Sequence, residues 1–195
     1  MLPSLRDQEN FAGLSPTQRA ARLIYLNKTC FNGLYRVNRQ GHFNVPFGDY
    51  KNPKFKDTEA LQAASDLLNS TGPSRKDRAT LVNSGYIETV GRVGENDVVY
   101  FDPPYEPLNR TSSFVSYQGA GFNQEDQREL RDIAVELVRR GARVVVSNSS
   151  AAFVRELYGS LSEFRITEID SNRSISASRA GRGSVTELLI IGDHK

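Results

Sequence analysis

The chain reads as an α/β protein, and three features of its second half predict it. An apolar run, Val98-Val99-Tyr100-Phe101, ends abruptly at a proline pair; a capped amphipathic helix follows; a second β-branched run, Val144-Val145-Val146, lies beyond that helix. β-Branched and aromatic residues in short runs favour buried strands. Strand, helix and strand in that order make one βαβ unit, with parallel strands and a right-handed crossover.

Composition sets the outer bounds. At 195 residues, 38% hydrophobic and 25% charged, the chain suits one well-buried domain with a small appendage. No run approaches the length of a membrane span and no apolar signal core opens the chain, so no membrane partner is expected. Cys30 is the single cysteine and His42 and His194 the only histidines, which excludes an internal disulfide and a zinc cluster. A reducing, cytoplasmic setting is expected, no metal site is expected, and Cys30 reads as a small buried residue. The net charge of +2 is unevenly spread: residues 1–56 hold nine Lys/Arg against three Asp/Glu, and the remainder sixteen against twenty. A nucleic-acid-binding arm ahead of a near-neutral core would show this; so would a solvated basic face.

Residues 1–14 are unpatterned. Ser15-Pro16 reads as an N-cap followed by proline in the first turn, opening a helix that runs to Thr29 or Cys30 with Ala20, Leu23, Ile24 and Asn27 along one face. Residues 31–51 have neither helical nor strand periodicity. Turn pairs (Asn32-Gly33, Gln40-Gly41, Phe47-Gly48) alternate with aromatic and basic residues, predicting a β-hairpin or structured loop. Such interleaving suits a surface that grips phosphates and wedges between bases, or a loop with its aromatics tucked into a local core. Residues 57–70 predict a helix with an apolar stripe of Leu61, Ala64, Leu67 and Leu68, ended by residues 70–74. Residues 80–82 suggest a short strand, and a weakly periodic helix fills the stretch to Val93.

Residues 106–122 are polar and rich in Ser, Asn and Gly, which predicts a mobile flap. Asn123 then caps a helix, with Asp126 three residues on and Leu130, Ile133, Ala134, Leu137 and Val138 on its apolar face, stopped by Gly141. A strand over 143–148, a helix over 151–161 and a strand over 164–169 follow. Residues 171–183 form a basic loop with Arg173, Arg179 and Arg182, ahead of a last strand over 186–191 that closes an antiparallel hairpin.

The chemistry concentrates in Asp102-Pro103-Pro104-Tyr105. Asp102 and Pro103 each precede a proline, which drives both into extended backbone, and neither proline can donate a hydrogen bond. The result is a stiff corner at the carboxyl end of a strand, where open α/β sheets bind ligands. It offers a carboxylate, a backbone carbonyl and an aromatic face. Two acceptors on one exocyclic amine would draw its nitrogen toward tetrahedral geometry and free its lone pair for attack, while Tyr105 stacks on the base. Taken alone, the same tetrapeptide also serves as a rigid turn.

This corner resembles the Asp/Asn/Ser-Pro-Pro-Tyr/Phe signature of amino-methyltransferases that use S-adenosylmethionine. The segment Phe31-Asn32-Gly33-Leu34-Tyr35-Arg36-Val37-Asn38, followed by Gly41-His42-Phe43-Asn44-Val45-Pro46-Phe47-Gly48, is similar to the target-recognition segment of Dam-type (alpha-group) DNA adenine-N6 methyltransferases. The resemblance implies the C-terminal part of a Rossmann-like methyltransferase sheet with an inserted helical and β-hairpin recognition segment: residues 1–78 for target recognition and 79–195 for an incomplete catalytic core. It implies catalytic roles for Asp102, Pro103, Pro104 and Tyr105, with Asp102 and Tyr105 also touching S-adenosylmethionine. On the DNA side it implies that Phe31 wedges into the duplex, that Asn32 and Leu34 touch the site, and that Arg36 reads a guanine. Asn38, Pro46 and Tyr50 match with contact or supporting roles, and Arg173-Ser174-Ile175-Ser176 also fits the family's pattern. The expected target is GATC or a close relative in double-stranded DNA.

One family element has no match. The cofactor motif Phe-x-Gly-x-Gly, expected before the recognition segment, is absent, as is the acidic residue that holds the cofactor ribose. The match therefore covers the C-terminal two-thirds of a full-length enzyme, and an N-terminal fragment completing the cofactor site is an expected partner. The alternatives are an inactive or split DNA-binding fragment, or transfer to cytosine N4, RNA adenine or a protein glutamine amide.

Overall fold

Ser15 begins the first element as expected: its hydroxyl accepts from Gln18 N, the Gln18 side chain accepts from Ser15 N, and Pro16 opens helix α1, Pro16–Thr29. The computed structural model describes residues 13–53, 55–71, 79–108, 122–172 and 184–193. The chain divides into two units, one up to Val82 and one from Asn83 onward. Residues 1–12, most of the expected flap (109–121) and most of the basic loop (173–183, with its three arginines) lie outside the described residues, as do residues 72–78.

In the first unit, α1 turns a different face inward from the one its pattern suggested. Arg22, Leu26 and Thr29 are buried, whereas Leu23 is 51% exposed. The reason lies at the helix end. Thr29 and Cys30 are tied to the following segment by Gly48 N to Thr29 O and by a bridge between Cys30 and Phe47, so the buried face is the one that meets it. Cys30 is fully buried, with Sγ 3.1 Å from the Leu34 carbonyl.

Residues 31–48 then form the hairpin-like excursion the turn pairs predicted. A short 3-10 turn, Phe31–Gly33, leads out, and Phe31 N–Pro46 O, Asn44 N–Arg36 O and Asn38 N–His42 O bonds tie the two arms. Gly41 takes φ +80 at the tip, beside the Asn38 side chain, which accepts from Gln40 N and His42 N. Helix α2, Thr58–Leu68, is capped by Asp57 and carries the expected stripe, but none of its residues is buried: Leu61, Leu67 and Leu68 are all exposed among the described residues. Residues 80–82 form no strand; Leu81 is 82% exposed, and three residues without a pairing partner do not hold extended structure.

The second unit is a four-stranded mixed sheet with helices. Helix α3, Tyr86–Val90, precedes strand β1, Val98–Phe101; helix α4, Gln124–Arg139, leads to β2, Arg143–Ser149; helix α5, Ala152–Gly159, leads to β3, Phe164–Asn172, and β4, Ser184–Gly192. The strand order is β1-β2-β4-β3, with β1 and β2 parallel and β4 antiparallel to both its neighbours. The βαβ unit and the terminal antiparallel hairpin are therefore as read. The α4 N-terminus carries the expected capping box of Asn123 and Asp126. Its C-terminus ends on Gly141 at φ +91, with Gly141 N bonded to Val138 O and Ala142 N to Leu137 O.

Leu130, Ala134, Leu137 and Val138 of α4, Val154, Leu157 and Tyr158 of α5, and Val144, Val146, Leu188 and Ile190 of the sheet make one core. Full burial of each large aliphatic side chain contributes about 1.5–3 kcal/mol. Strand β1 departs from the buried strand expected. Phe101 is buried, but Val98 and Tyr100 are 68% and 60% exposed, because β1 is an outer strand with one face covered.

Candidate active site

The parallel register of β1 and β2 builds the corner. Phe101 lies opposite Val146, so the next residue on each strand, Asp102 and Ser147, come side by side where β1 ends. The Ser147 hydroxyl sits 2.8 Å from Asp102 Oδ1 and 3.3 Å from the Phe101 carbonyl. The shorter contact, to the carboxylate oxygen, is the stronger. One turn into α4, Gln127 Nε2 donates to the Pro104 carbonyl at 2.9 Å, and Asn148 Oδ1 accepts from Glu106 N at 3.0 Å. Among the described residues, neither Asp102 Oδ2 nor the Pro103 carbonyl accepts a hydrogen bond.

Tyr105 is half-buried, its hydroxyl 3.5 Å from Glu187 Oε2 on β4. Burial pushes its phenol above the ordinary value; the Ser147 hydroxyl opposes this, and the Glu187 and Asp102 carboxylates add to it. The ring is thus neutral at physiological pH and anchored at its far end. Asp102 is exposed, so the carboxylate and the ring border open space.

A cavity of about 490 Å³ lies at the opposite end of the sheet, lined by residues that include Glu95, Asp97, Arg139, Arg140, Arg143 and Asp193. Its arginines are engaged by acidic partners: Arg139 by Glu163, Arg140 by Glu136, and Arg143 by Asp193. It holds none of the corner's groups. Among the described residues no cluster of His, Cys, Asp and Glu is arranged to hold a metal ion, and no helix is long and apolar enough to cross a membrane.

The expected DNA-facing residues all lie in the first unit. Some aromatics of the segment pack on one another: Tyr25 meets Phe47 and Phe55 edge-on with centroids 6.5 and 5.4 Å apart, and Tyr35 meets Phe43 at 5.8 Å. Phe31 and Tyr50 remain 42% and 47% exposed. Asn32 takes φ 53 inside the 3-10 turn. Leu34 is half-buried beside it, and Pro46 lends its carbonyl to Phe31 N. Asn38 organises the tip, a supporting role. The exposed Arg36 is held across the hairpin by Asn44, with Nε 2.8 Å from Asn44 Oδ1 and Nη2 3.0 Å from its carbonyl. Its Nη1 donates no hydrogen bond among the described residues.

Asn44 lies in the matching segment, where no role was expected of it; three side chains at the corner were not singled out at all: Gln127, Ser147 and Asn148. The last two carried a signal. A Ser-Asn-Ser run directly after three valines on a central strand places polar groups where the strand is buried, and such groups require partners.

Residues 4–175 match the family model of the D12 class N6 adenine-specific DNA methyltransferases. Curated relatives agree. The chain is 41% identical over 177 residues to the type II methyltransferase M1.LlaDCHI of Lactococcus lactis subsp. cremoris, covering 91% of this chain and 59% of that protein. It is 42% identical to the type II methyltransferase M.MjaIII of Methanocaldococcus jannaschii, covering 89% and 57%. It is 40% identical to the DNA adenine methylase of Vibrio cholerae, covering 89% and 58%. The chain thus spans somewhat under three-fifths of the length of each of these relatives. With the Asp-Pro-Pro-Tyr corner at the end of a parallel strand and the matching hairpin ahead of it, the chain belongs to the D12 class N6 adenine-specific DNA methyltransferase family.

Proposed function

We infer that this chain carries the methyl-acceptor side of a site-specific DNA adenine-N6 methyltransferase. The observation that carries the reading is the pair of open acceptors, Asp102 Oδ2 and the Pro103 carbonyl, beside the anchored ring of Tyr105. An adenine turned out of the duplex stacks on Tyr105 and gives its N6 amine to the two acceptors. Pro104 keeps the corner stiff, and the neutral phenol places no charge against the base. S-Adenosylmethionine, were it bound, would supply the methyl group as an electrophile; what the residues of this chain would do is hold the acceptor amine, through Asp102 and the Pro103 carbonyl.

Two stretches of the chain take separate tasks. Residues 1–78 recognise the target: exposed Phe31 wedges into the duplex, Asn32, Leu34, Pro46 and Tyr50 line its approach, and Arg36 reads a guanine of GATC or a related site. Residues 79–195 are the C-terminal part of a Rossmann-like methyltransferase sheet, with Asp102 and Tyr105 at the edge of the cofactor site.

The described residues fit the acceptor side of this reaction and not the donor's cradle. No glycine-rich turn follows either parallel strand: β1 runs into the proline corner and β2 into Ser149-Ser150-Ala151. A second reading therefore accompanies the first, favoured by the outer edge of β1, which pairs with no strand among the described residues. In it, a segment equivalent to the part of the relatives that this chain does not match pairs along β1 and supplies the donor site.

Labelled methyl transfer from S-adenosylmethionine to duplexes with and without GATC tests both readings. Site-dependent transfer by the chain as it stands supports the first and removes the need for a partner segment. Transfer only after adding an N-terminal fragment with Phe-x-Gly-x-Gly supports the second. Selective binding of GATC duplexes with no transfer in either case leaves a recognition fragment and rejects the enzymatic reading.

A further inference from the structure

Gln127, Ser147 and Asn148 are 1%, 3% and 0% exposed in a core otherwise built of apolar side chains. All three reach toward the Asp102–Glu106 corner, and none belongs to the motif. Their donor and acceptor sense is fixed by the backbone. Glu106 N and Ser149 N both point at one atom of Asn148, at 3.0 and 2.8 Å, so that atom is the amide oxygen. Asn148 Nδ2 then donates to Gln127 Oε1 at 3.1 Å, and Gln127 Nε2 to the Pro104 carbonyl at 2.9 Å. The Ser149 hydroxyl donates to the Glu106 carbonyl, which holds residue 106 at both its backbone groups. Reversing either amide would set donor against donor or oxygen against oxygen.

Ser147 acts on the carboxylate itself. The terminal torsion of an aspartate is broad, so an untethered Asp102 would swing its oxygens freely. A hydrogen bond on Oδ1 sets that angle and leaves Oδ2 as the outward acceptor. Together the buried groups occupy Asp102 Oδ1 and the Pro104 carbonyl and leave Asp102 Oδ2 and the Pro103 carbonyl.

Resting on the amine-holding reading above, we propose that Ser147, Asn148 and Gln127 are positioning residues for methyl transfer, selecting which two acceptors the corner presents to the target amine. They touch no substrate. Their effect is geometric, and a displacement of about 1 Å at a reacting group costs on the order of 100-fold in rate.

The test uses the full chain, with the N-terminal fragment if transfer needs it, in three variants. Ser147→Ala is expected to lower kcat about 10- to 100-fold with KM for the duplex held within about twofold. Ser147→Thr, which keeps a hydroxyl, recovers most of the loss. Gln127→Leu, similar in volume, lowers kcat likewise and speeds hydrogen exchange at the Glu106 amide by about tenfold or more, read by NMR. A purely structural role would lower the melting temperature and leave kcat per folded molecule unchanged. Parental kcat in Ser147→Ala, or unchanged Glu106 exchange in Gln127→Leu, overturns the proposal. Asp102→Ala in the same assay separates the two levels: if it transfers like the parent, the amine-holding reading fails, while the exchange measurement still decides whether the buried relay holds the corner.

Discussion

The hairpin over residues 31–48 and the proline corner are held together in opposite ways by similar residues. In the hairpin, side chains tie the backbone together and leave their neighbours exposed: Asn38 closes the tip, Asn44 clamps Arg36, and Phe31 and Tyr50 stay in solvent. At the corner the ties are buried, through Gln127, Ser147 and Asn148, while Asp102 and Pro104 are exposed and Pro103 and Tyr105 half-buried. The difference fits the proposed function: a surface that reads a duplex would tolerate small adjustments on binding, and one that holds a single amine in line for attack would not. The difference predicts that changes at the corner act on rate, and changes in the hairpin act on which sequence is chosen.

The largest expected effect is at the corner. Asp102→Ala should lower transfer about 100- to 1,000-fold, the scale for removing a group aimed at developing charge, while duplex affinity changes by about twofold or less. Rate and gel-shift measurements on the same preparation check it; lost binding with retained transfer would reverse the assigned roles. Next comes the hairpin. Arg36→Ala should cost about 1–3 kcal/mol of discrimination at a single base pair, seen by comparing duplexes substituted one position at a time. Asn44→Ala, which frees the guanidinium without removing it, should lose part of that discrimination at the same position. Equal discrimination in both variants would remove Arg36 from the reading role.

Two smaller effects bear on the scaffold. Gly141→Ala places a side chain at φ +91, where its Cβ would also lie 2.8 Å from Glu95 Cγ. It should destabilise the second unit by about 1–2 kcal/mol in a denaturant titration, without altering sequence choice. On the alkaline side, burial pushes the phenols of Tyr105 and Tyr158 above their ordinary value. A phenol whose folded pKa exceeds its unfolded one stabilises the fold below about pH 10 and ceases to do so as pH rises through the folded value. The contribution of these two phenols should therefore be constant from neutral pH to about pH 9 and fall above about pH 10. Tyr158→Phe should soften that fall. Among the described residues the Tyr158 hydroxyl has no hydrogen-bond partner, so this variant should be no less stable than the parent at pH 7.

What the sequence made legible follows the range of the interactions involved. The α4 helix was readable from end to end, because its capping box, apolar period and terminal glycine all act within a few residues. The Asp102–Tyr105 corner was readable for the same reason, since prolines constrain only their neighbours. The inward face of α1 was not, because tertiary ties at Thr29 and Cys30 choose it. Neither was the bond between Ser147 and Asp102, which depends on strand register across 45 positions. The stripe of α2 was legible as a pattern, yet among the described residues no packing partner covers it; periodicity marks an apolar face without naming what meets it.

The most direct measurement is the identity of the methylated base. Nucleosides released from a GATC duplex after reaction with labelled S-adenosylmethionine should carry the label in N6-methyladenine alone, and Asp102→Ala should lower it about 100- to 1,000-fold. Label in N4-methylcytosine, or N6-methyladenine formed undiminished by Asp102→Ala, would contradict the account of the corner as the site that holds the adenine amine.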